Sequence, residues 1–322
     1  MEVSVVATSV SDPHRWIAWS PNGTMLASAS DETLKILPID VDPKGTLTET
    51  QIGSHLGKLE QCCWNPQTNT TVATVSMDKP AAVWDVRTKS RAMMLNVPPK
   101  NKNIDWSYDG NYIAMIDTEN YVQILDVRTN SAVKEPTLAG SKQKADINQI
   151  CWQPNSEALF IPQPNNLMCA LRWEDLTSER NVIKVNIKSS AYILTSMAFD
   201  PLGRRFAIGG SDGIVSLCDR EDFACFRCFG RFDASVVTSM SFDSTGEYIC
   251  ASYINKSQSD KSSDTNERYF DITHVETGDL MQFKIEKSKP QSICAWSPKG
   301  PLIAIVPTHG KGSIEIMKIN PR

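Results

Sequence analysis

The sequence predicts an all-β, seven-bladed propeller, and three observations carry that prediction. One short motif recurs seven times, its spacing matches the length of a propeller blade, and each copy is followed by short apolar runs separated by polar turns. The motif is an aromatic residue that ends an apolar run and leads at once into a turn. The aromatics are Trp19, Trp64, Trp106, Trp152, Phe199, Phe242 and Trp296, separated by 45, 42, 46, 47, 43 and 54 residues. A period of about 40 to 45 residues is that of a repeat forming one four-stranded blade. The 322 residues are therefore read as one domain spanning 1–322 and not as two domains of ordinary size.

The residues after each aromatic justify a hairpin. Copies such as Trp19-Ser20-Pro21-Asn22-Gly23 and Phe199-Asp200-Pro201-Leu202-Gly203 place a short polar side chain first, where it bonds the backbone ahead. Proline presets φ at the next position, and glycine supplies φ > 0 before the second strand. Five copies carry that glycine; Trp64-Asn65-Pro66 and Trp152-Gln153-Pro154 do not, and looser turns are expected there.

After the turn come a strand, a tight polar turn and a third strand, as in Val72 to Ser76, Asp78, then Ala82 to Asp85. Small and β-branched residues dominate, which suits sheets covered on both faces. The 54-residue interval contains Asn255 to Arg268, a polar stretch without an apolar residue, read as a mobile insertion at 255–268 in the sixth blade. The last repeat lacks one strand, and Glu2 to Thr8 holds an unassigned strand-like run with Val3, Val5 and Val6. The N-terminal strand is therefore expected to complete the seventh blade and close the ring, which also hides a sheet edge.

Composition is that of a soluble globular protein: 41% hydrophobic, 22% charged, formal net charge −4. The acidic balance argues against a dedicated nucleic-acid binder. Met1 to Val10 lacks the pattern of a secretory signal, and no apolar run reaches the roughly 20 residues of a membrane span, so an intracellular protein with no membrane contact is expected. Nine cysteines without regular spacing do not read as a disulfide framework.

No catalytic, metal or cofactor site is read. Cys225 and Cys228 form a lone Cys-x-x-Cys with no second pair, and residues three apart on a strand are expected to face opposite ways. The four histidines, His14, His55, His274 and His309, lie in no nucleophile motif, and no phosphate-binding or dinucleotide fingerprint occurs.

The second repeat resembles the WD-repeat pattern. It has Gly53-Ser54-His55, then Asp78 in the tight turn and Trp84-Asp85 ending the third strand. The resemblance implies a structural network of His55, Thr74 or Ser76, Asp78 and Trp84. Three stretches are also similar to the WD-repeat subunit of the THO complex, part of the TREX machinery: Gln61 to Pro66 with Trp84 to Thr88, Phe199 to Leu217 with Cys225 to Asp233, and Val275 to Asp279. Cys218 stands where a blade usually has tryptophan, and the 255–268 insertion departs from that subunit's pattern. This resemblance implies a non-catalytic nuclear scaffold that couples transcription to mRNA processing and export. It would be one propeller within a hetero-complex, docked on large helical subunits.

Loops on a stiff body make interaction surfaces. Residues opening each blade's first strand are the candidate partner contacts: His14, Arg15, Trp16, Leu59, Glu60, Lys102, Asn148 and Tyr192. Trp16 and Tyr192 are the expected anchors, since aromatics are enriched in hot spots. Two alternatives are a peptide reader, for example of histone tails, at the channel mouth, and a direct RNA binder. Arg204, Arg205, Arg227 and Arg231 are the main basic grouping for a secondary RNA contact.

Overall fold

The structure is a computed structural model that describes residues 2–9, 14–40, 45–54, 57–138, 147–155, 157–163, 167–172, 182–186, 193–231, 235–255, 268–285, 292–307 and 313–320. These residues form seven four-stranded antiparallel sheets. The first strand, β1 (Glu2–Thr8), precedes blade 1, which consists of β2 (Trp16–Trp19), β3 (Met25–Ser30), β4 (Thr33–Pro38) and β5 (Thr50–Ser54). Blade 2 holds β6 (Leu59–Trp64), β7 (Thr71–Ser76), β8 (Ala82–Asp85) and β9 (Ser90–Met94). Blade 3 holds β10 (Asn101–Trp106), β11 (Tyr112–Asp117), β12 (Tyr121–Asp126) and β13 (Ser131–Leu138). Blade 4 holds β14 (Cys151–Trp152), β15 (Ala158–Gln163), β16 (Leu167–Arg172) and β17 (Val182–Asn186). Blade 5 holds β18 (Leu194–Phe199), β19 (Arg205–Gly210), β20 (Ile214–Asp219) and β21 (Cys225–Gly230). Blade 6 holds β22 (Ser235–Phe242), β23 (Tyr248–Asn255), β24 (Arg268–His274) and β25 (Leu280–Ile285). Blade 7 holds β26 (Ser292–Trp296), β27 (Leu302–Pro307) and β28 (Glu315–Asn320), with β1 as its outer strand. The segment expected as an insertion lies, from 256 to 267, outside the described residues.

The first strands of successive blades abut one another, and β26 of blade 7 abuts β2 of blade 1, so the ring closes. Each blade is a meander. Its first and third turns therefore lie on one face of the ring, called here the turn face. Its second turn and the link to the next blade lie on the other, the loop face.

Among the described residues there is no central core. The buried residues fall into seven clusters, each made by two neighbouring blades. Ile36 and Ile52 of blade 1 meet Leu59 and Trp64 of blade 2. Val75 and Val83 of blade 2 meet Trp106 and Met115 of blade 3. The same holds around to Ile293 and Ile316 of blade 7 against Ile17 and Trp19 of blade 1. The motif aromatic of each blade always joins the seam with the preceding blade. Two indoles also donate across it, Trp64 Nε1 to the Ala18 carbonyl and Trp19 Nε1 to the Ala295 carbonyl, each at 2.9 Å.

The turn glycines behave as their sequence positions demand. Gly23, Gly110, Gly203, Gly246 and Gly300 all have positive φ, from 66° to 96°. The glycine-free second turn is not loose as expected. Asn65 Oδ1 accepts the Gln67 N–H at 2.8 Å, Gln67 Nε2 donates to the Tyr108 carbonyl at 2.6 Å, and Asn69 Oδ1 accepts the Asn22 N–H at 3.0 Å. Side-chain caps to both neighbouring turns do there what glycine does elsewhere.

Closure by the N-terminal strand occurs in full. β1 pairs antiparallel with β28 from Glu2↔Asn320 to Thr8↔Glu315. Its end reaches blade 1 as well: Thr8 N–H donates to the Gly45 carbonyl and Leu47 N–H to the Thr8 carbonyl, both at 2.9 Å. Ala7 is buried in the seventh seam with Leu47 and Ile314. Deleting residues 1–9 is expected to remove several kcal/mol and lower the melting temperature by roughly 10 °C or more. Thermal unfolding followed by circular dichroism checks this, and an unchanged midpoint contradicts it.

In blade 2, Trp84 Nε1 donates to Thr74 Oγ1 at 2.8 Å, and the Asp78 N–H donates to Ser76 Oγ at 3.2 Å. Asp78 Oδ2 accepts the Lys58 N–H at 3.3 Å, while His55 lies outside the described residues. The Trp84 ring lies against Gly53 so closely that an added Cβ would sit 2.1 Å from it. Gly53→Ala is therefore expected to cost about 1–3 kcal/mol by overpacking. Gly53→Ala combined with Trp84→Leu, which frees that space, should cost less than the two separate losses summed; strict additivity in chemical denaturation would refute the contact.

Candidate interaction faces

The residues expected to open each blade on the loop face divide into two groups. His14 and Leu59 are corrections: both are fully buried. His14 Nδ1 lies 2.6 Å from Ser28 Oγ on the second strand of blade 1, so this histidine is part of the blade interior. Leu59 sits in the seam of blades 1 and 2, because a register irregularity at Leu59/Gln61 turns it inward. Trp16 is half-buried and touches the seams on both sides of blade 1, so its indole is largely used in packing.

The others remain near the surface. Arg15 lies 3.5 Å from Asp31 and 3.8 Å from Glu60, a bridge from blade 1 to blade 2 across the loop face. Arg15 is half-buried beneath these carboxylates, and the pairs set the charge pattern presented there. Lys102 Nζ donates to Asn120 Oδ1 at 3.0 Å, and the exposed Asn148 reaches the Leu194 carbonyl at 3.4 Å. Tyr192 lies outside the described residues. Its neighbour Ile193, 45% exposed, and Tyr121 are apolar surface residues on this face that the sequence reading missed. They carry no signal beyond being apolar next to a turn.

On the turn face, a groove of about 460 Å³ opens between blades 4 and 5, lined by Pro154, Asn155, Pro201, Leu202, Arg220 and Glu221 among others. Leu202 is 65% exposed. Arg220 reaches Glu157 of blade 4 at 3.8 Å.

The arginine grouping does not form an unengaged basic stripe. Arg204 pairs with Asp200 at 2.9 Å, and Arg205 with Glu276 at 2.5 Å, where it holds that carboxyl below its usual range. Arg227 donates to the Glu276 carbonyl at 2.8 Å, and the half-buried Arg231 pairs with the buried Asp271 at 2.9 Å. All four tie blade 5 to blade 6: Arg205 and Arg227 through Glu276, Arg231 through Asp271, and Arg204 through the Thr245 carbonyl at 3.3 Å.

The inner strands expose, just before each aromatic, a small or polar residue: Ala18, Cys63, Asp105, Cys151, Ala198, Ser241 and Ala295. Lying on the innermost strands and only partly covered, these positions line the axis of the ring. Asp105 is the ionisable outlier. Its carboxylate accepts the Trp152 N–H of blade 4 at 2.6 Å and the Trp106 N–H at 3.0 Å. Similar side-chain clamps join other inner strands, Gln61 to the Ile104 N–H at 2.8 Å and Gln149 to the Met197 N–H at 2.9 Å. Loss of hydration among the blades pushes the Asp105 carboxyl up to about 7 despite the two N–H donors.

The fold and its faces define the class: the chain is a seven-bladed β-propeller. The WD domain, G-beta repeat family matches residues 8–36. The chain is similar to THO complex subunit 3 of Arabidopsis thaliana, 29% identical over 89% of this chain and 84% of that one. It is 27% identical to WD repeat-containing protein AAC3 of Dictyostelium discoideum over 70% of this chain, and spans about half, 51%, of that longer protein. The fold matches the crystal structure of the Cps50 (Swd1) β-propeller domain of Myceliophteria thermophila. The TM-score is 0.77 with 16% identity, covering 99% of this chain and 100% of that one.

The Asp105 clamp has a pH signature. The unfolded carboxyl ionises near 3.8 and the folded one near 7, so between these values the folded state binds the extra proton. Stability contributed by this group therefore falls as pH rises through that window and levels off above it. Asp105→Asn, which keeps one oxygen for the Trp152 N–H, should flatten the fall of melting temperature between pH 4.5 and 7.5; identical slopes for both proteins would disprove it.

Proposed function

We propose that the chain is a non-catalytic scaffold subunit of a nuclear THO/TREX-type assembly that couples transcription to mRNA processing and export. The observation that carries this reading is the similarity to THO complex subunit 3, which extends over 84% of that protein. The architecture supports it. Seams take up the buried apolar residues, and two loop-bearing faces are left to contact partners. The chain performs no turnover of its own in this reading; its partners are the large helical subunits, met chiefly on the loop face around Arg15, Glu60, Lys102 and Asn148. The engagement of Arg204, Arg205, Arg227 and Arg231 within the propeller favours protein over RNA as the principal ligand.

Affinity purification of the tagged chain from nuclease-treated nuclear extract tests the reading. Large helical THO subunits are expected in stoichiometric amounts after a moderate-salt wash. The paired substitutions Asn148→Arg and Ile193→Asp are expected to reduce their recovery roughly tenfold, about 1.4 kcal/mol. Leu202→Asp, on the opposite face, should leave recovery unchanged. Absence of those subunits, with histones in their place, would favour a peptide reader instead.

A further inference from the structure

The Cys-x-x-Cys of blade 5 is not what strand alternation predicts. Cys225 and Cys228 do not point to opposite faces: their sulfurs are 3.3 Å apart. The cause is a bulge. Leu217 pairs with Arg227 while the next residue, Cys218, pairs with Cys225, so Phe226 is the extra residue in β21. A bulge residue resets the alternation, and Cys225 and Cys228 come to lie on one face. Phe226 is displaced outward, 43% exposed, under the Arg205 guanidinium at 5.2 Å. The thiols form a graded series from solvent to seam: Cys228 is exposed, Cys225 half-buried, and Cys218, opposite Cys225, fully buried.

We propose that Cys225 and Cys228 are an oxidisable dithiol, a modification site on the outer strand of blade 5 whose co-substrate is hydrogen peroxide. The exposed Cys228 reacts first, as its thiolate. Its sulfur attacks the peroxide, an S–O bond forms, the O–O bond breaks, and the departing hydroxide takes up a proton to leave as water. Cys225 then attacks the sulfenic sulfur of Cys228. The S–S bond forms, the S–O bond breaks, and the second water carries away the Cys225 proton. Two thiols lose two electrons, and one peroxide becomes two waters. Burial raises the pKa of Cys225 above the usual thiol value, which makes it the poorer sulfur for the first attack on peroxide. The partner sulfur is already in contact, so the two sulfurs have only to close from 3.3 Å to the roughly 2.05 Å of a disulfide. Such a bond in a protein without a disulfide framework is expected to be reversible by cellular thiols.

Trypsin makes the test direct, because Arg227 lies between the two cysteines. The full chain is treated with hydrogen peroxide, alkylated with N-ethylmaleimide and digested without reductant. The expected product is peptide 221–227 joined to peptide 228–231, separated again by dithiothreitol. Cys225→Ser should instead leave Cys228 as a sulfenic acid that dimedone traps, and Cys228→Ser should leave Cys225 free for alkylation. The proposal is overturned if peroxide leaves both cysteines alkylated, if Cys228 in the unsubstituted protein proceeds to sulfinic acid without the linked peptides, or if Cys225 is joined to Cys218.

Discussion

Every blade of this protein has two faces that water must not reach, and only a neighbouring blade can cover each of them. The buried residues are accordingly distributed among seven seams, with no common centre. In an open repeat array the terminal units need polar caps. A ring needs none, provided that the last seam forms. The seventh seam is built from residues near both ends of the chain, Ala7 and Trp19 with Ile314 and Ile316. The pairing of β1 with β28, together with the packing of β26 against β2, thus completes the seam that covers both terminal blades.

The seams explain the chemistry of the recurring motif. Its aromatic is large enough to cross the gap between sheets, and an indole adds a donor that finds a carbonyl in the preceding blade, as Trp19 and Trp64 do. Where blade 5 has phenylalanine, the seam is filled by a phenylalanine cluster: Phe160 lies edge-on to Phe199 at 4.9 Å, and Phe206 and Phe223 each lie 6.0 Å from Phe160. Cys218 joins the same seam at a position where a blade usually carries tryptophan. The volume is shared among several rings, consistent with cores tolerating exchange as long as total volume and pattern are kept.

What was legible in the sequence follows from the same division. Period, aromatic anchors, turn glycines and the closing strand all answer to seam and backbone requirements, which act on consecutive residues. The misread features depend on contacts between blades or on register. His14 reads as a loop residue until Ser28 is known to lie beneath it. The arginines of blade 5 read as a basic patch until Glu276 and Asp271 of blade 6 arrive beside them. The convergence of Cys225 and Cys228 depends on a bulge of one residue, and no residue type near Phe226 announces it. Neither face offered a sequence signal, because an exposed apolar side chain such as Ile193 is distinguished from a buried one only by its surroundings.

This division also governs how much a likeness means. Seams ask for apolar residues of suitable size at fixed spacing, so the ring persists at 16% identity with near-complete coverage of a different propeller. Likeness at that level reports the seams and leaves the faces unconstrained. The identity to the plant THO subunit is higher, 29% over 89% of this chain, and within this chain seam and surface meet on the strand β21 of blade 5. That strand is the outer one of its blade, and Arg227 within it and Arg231 just after it hold blade 6 through the Glu276 carbonyl and Asp271. An outer strand meets solvent on one edge, so exposure and inter-blade bonding constrain it together. A bulge that turns two thiols to one side of that edge therefore sits where a change in covalent state bears on both the seam and the surface.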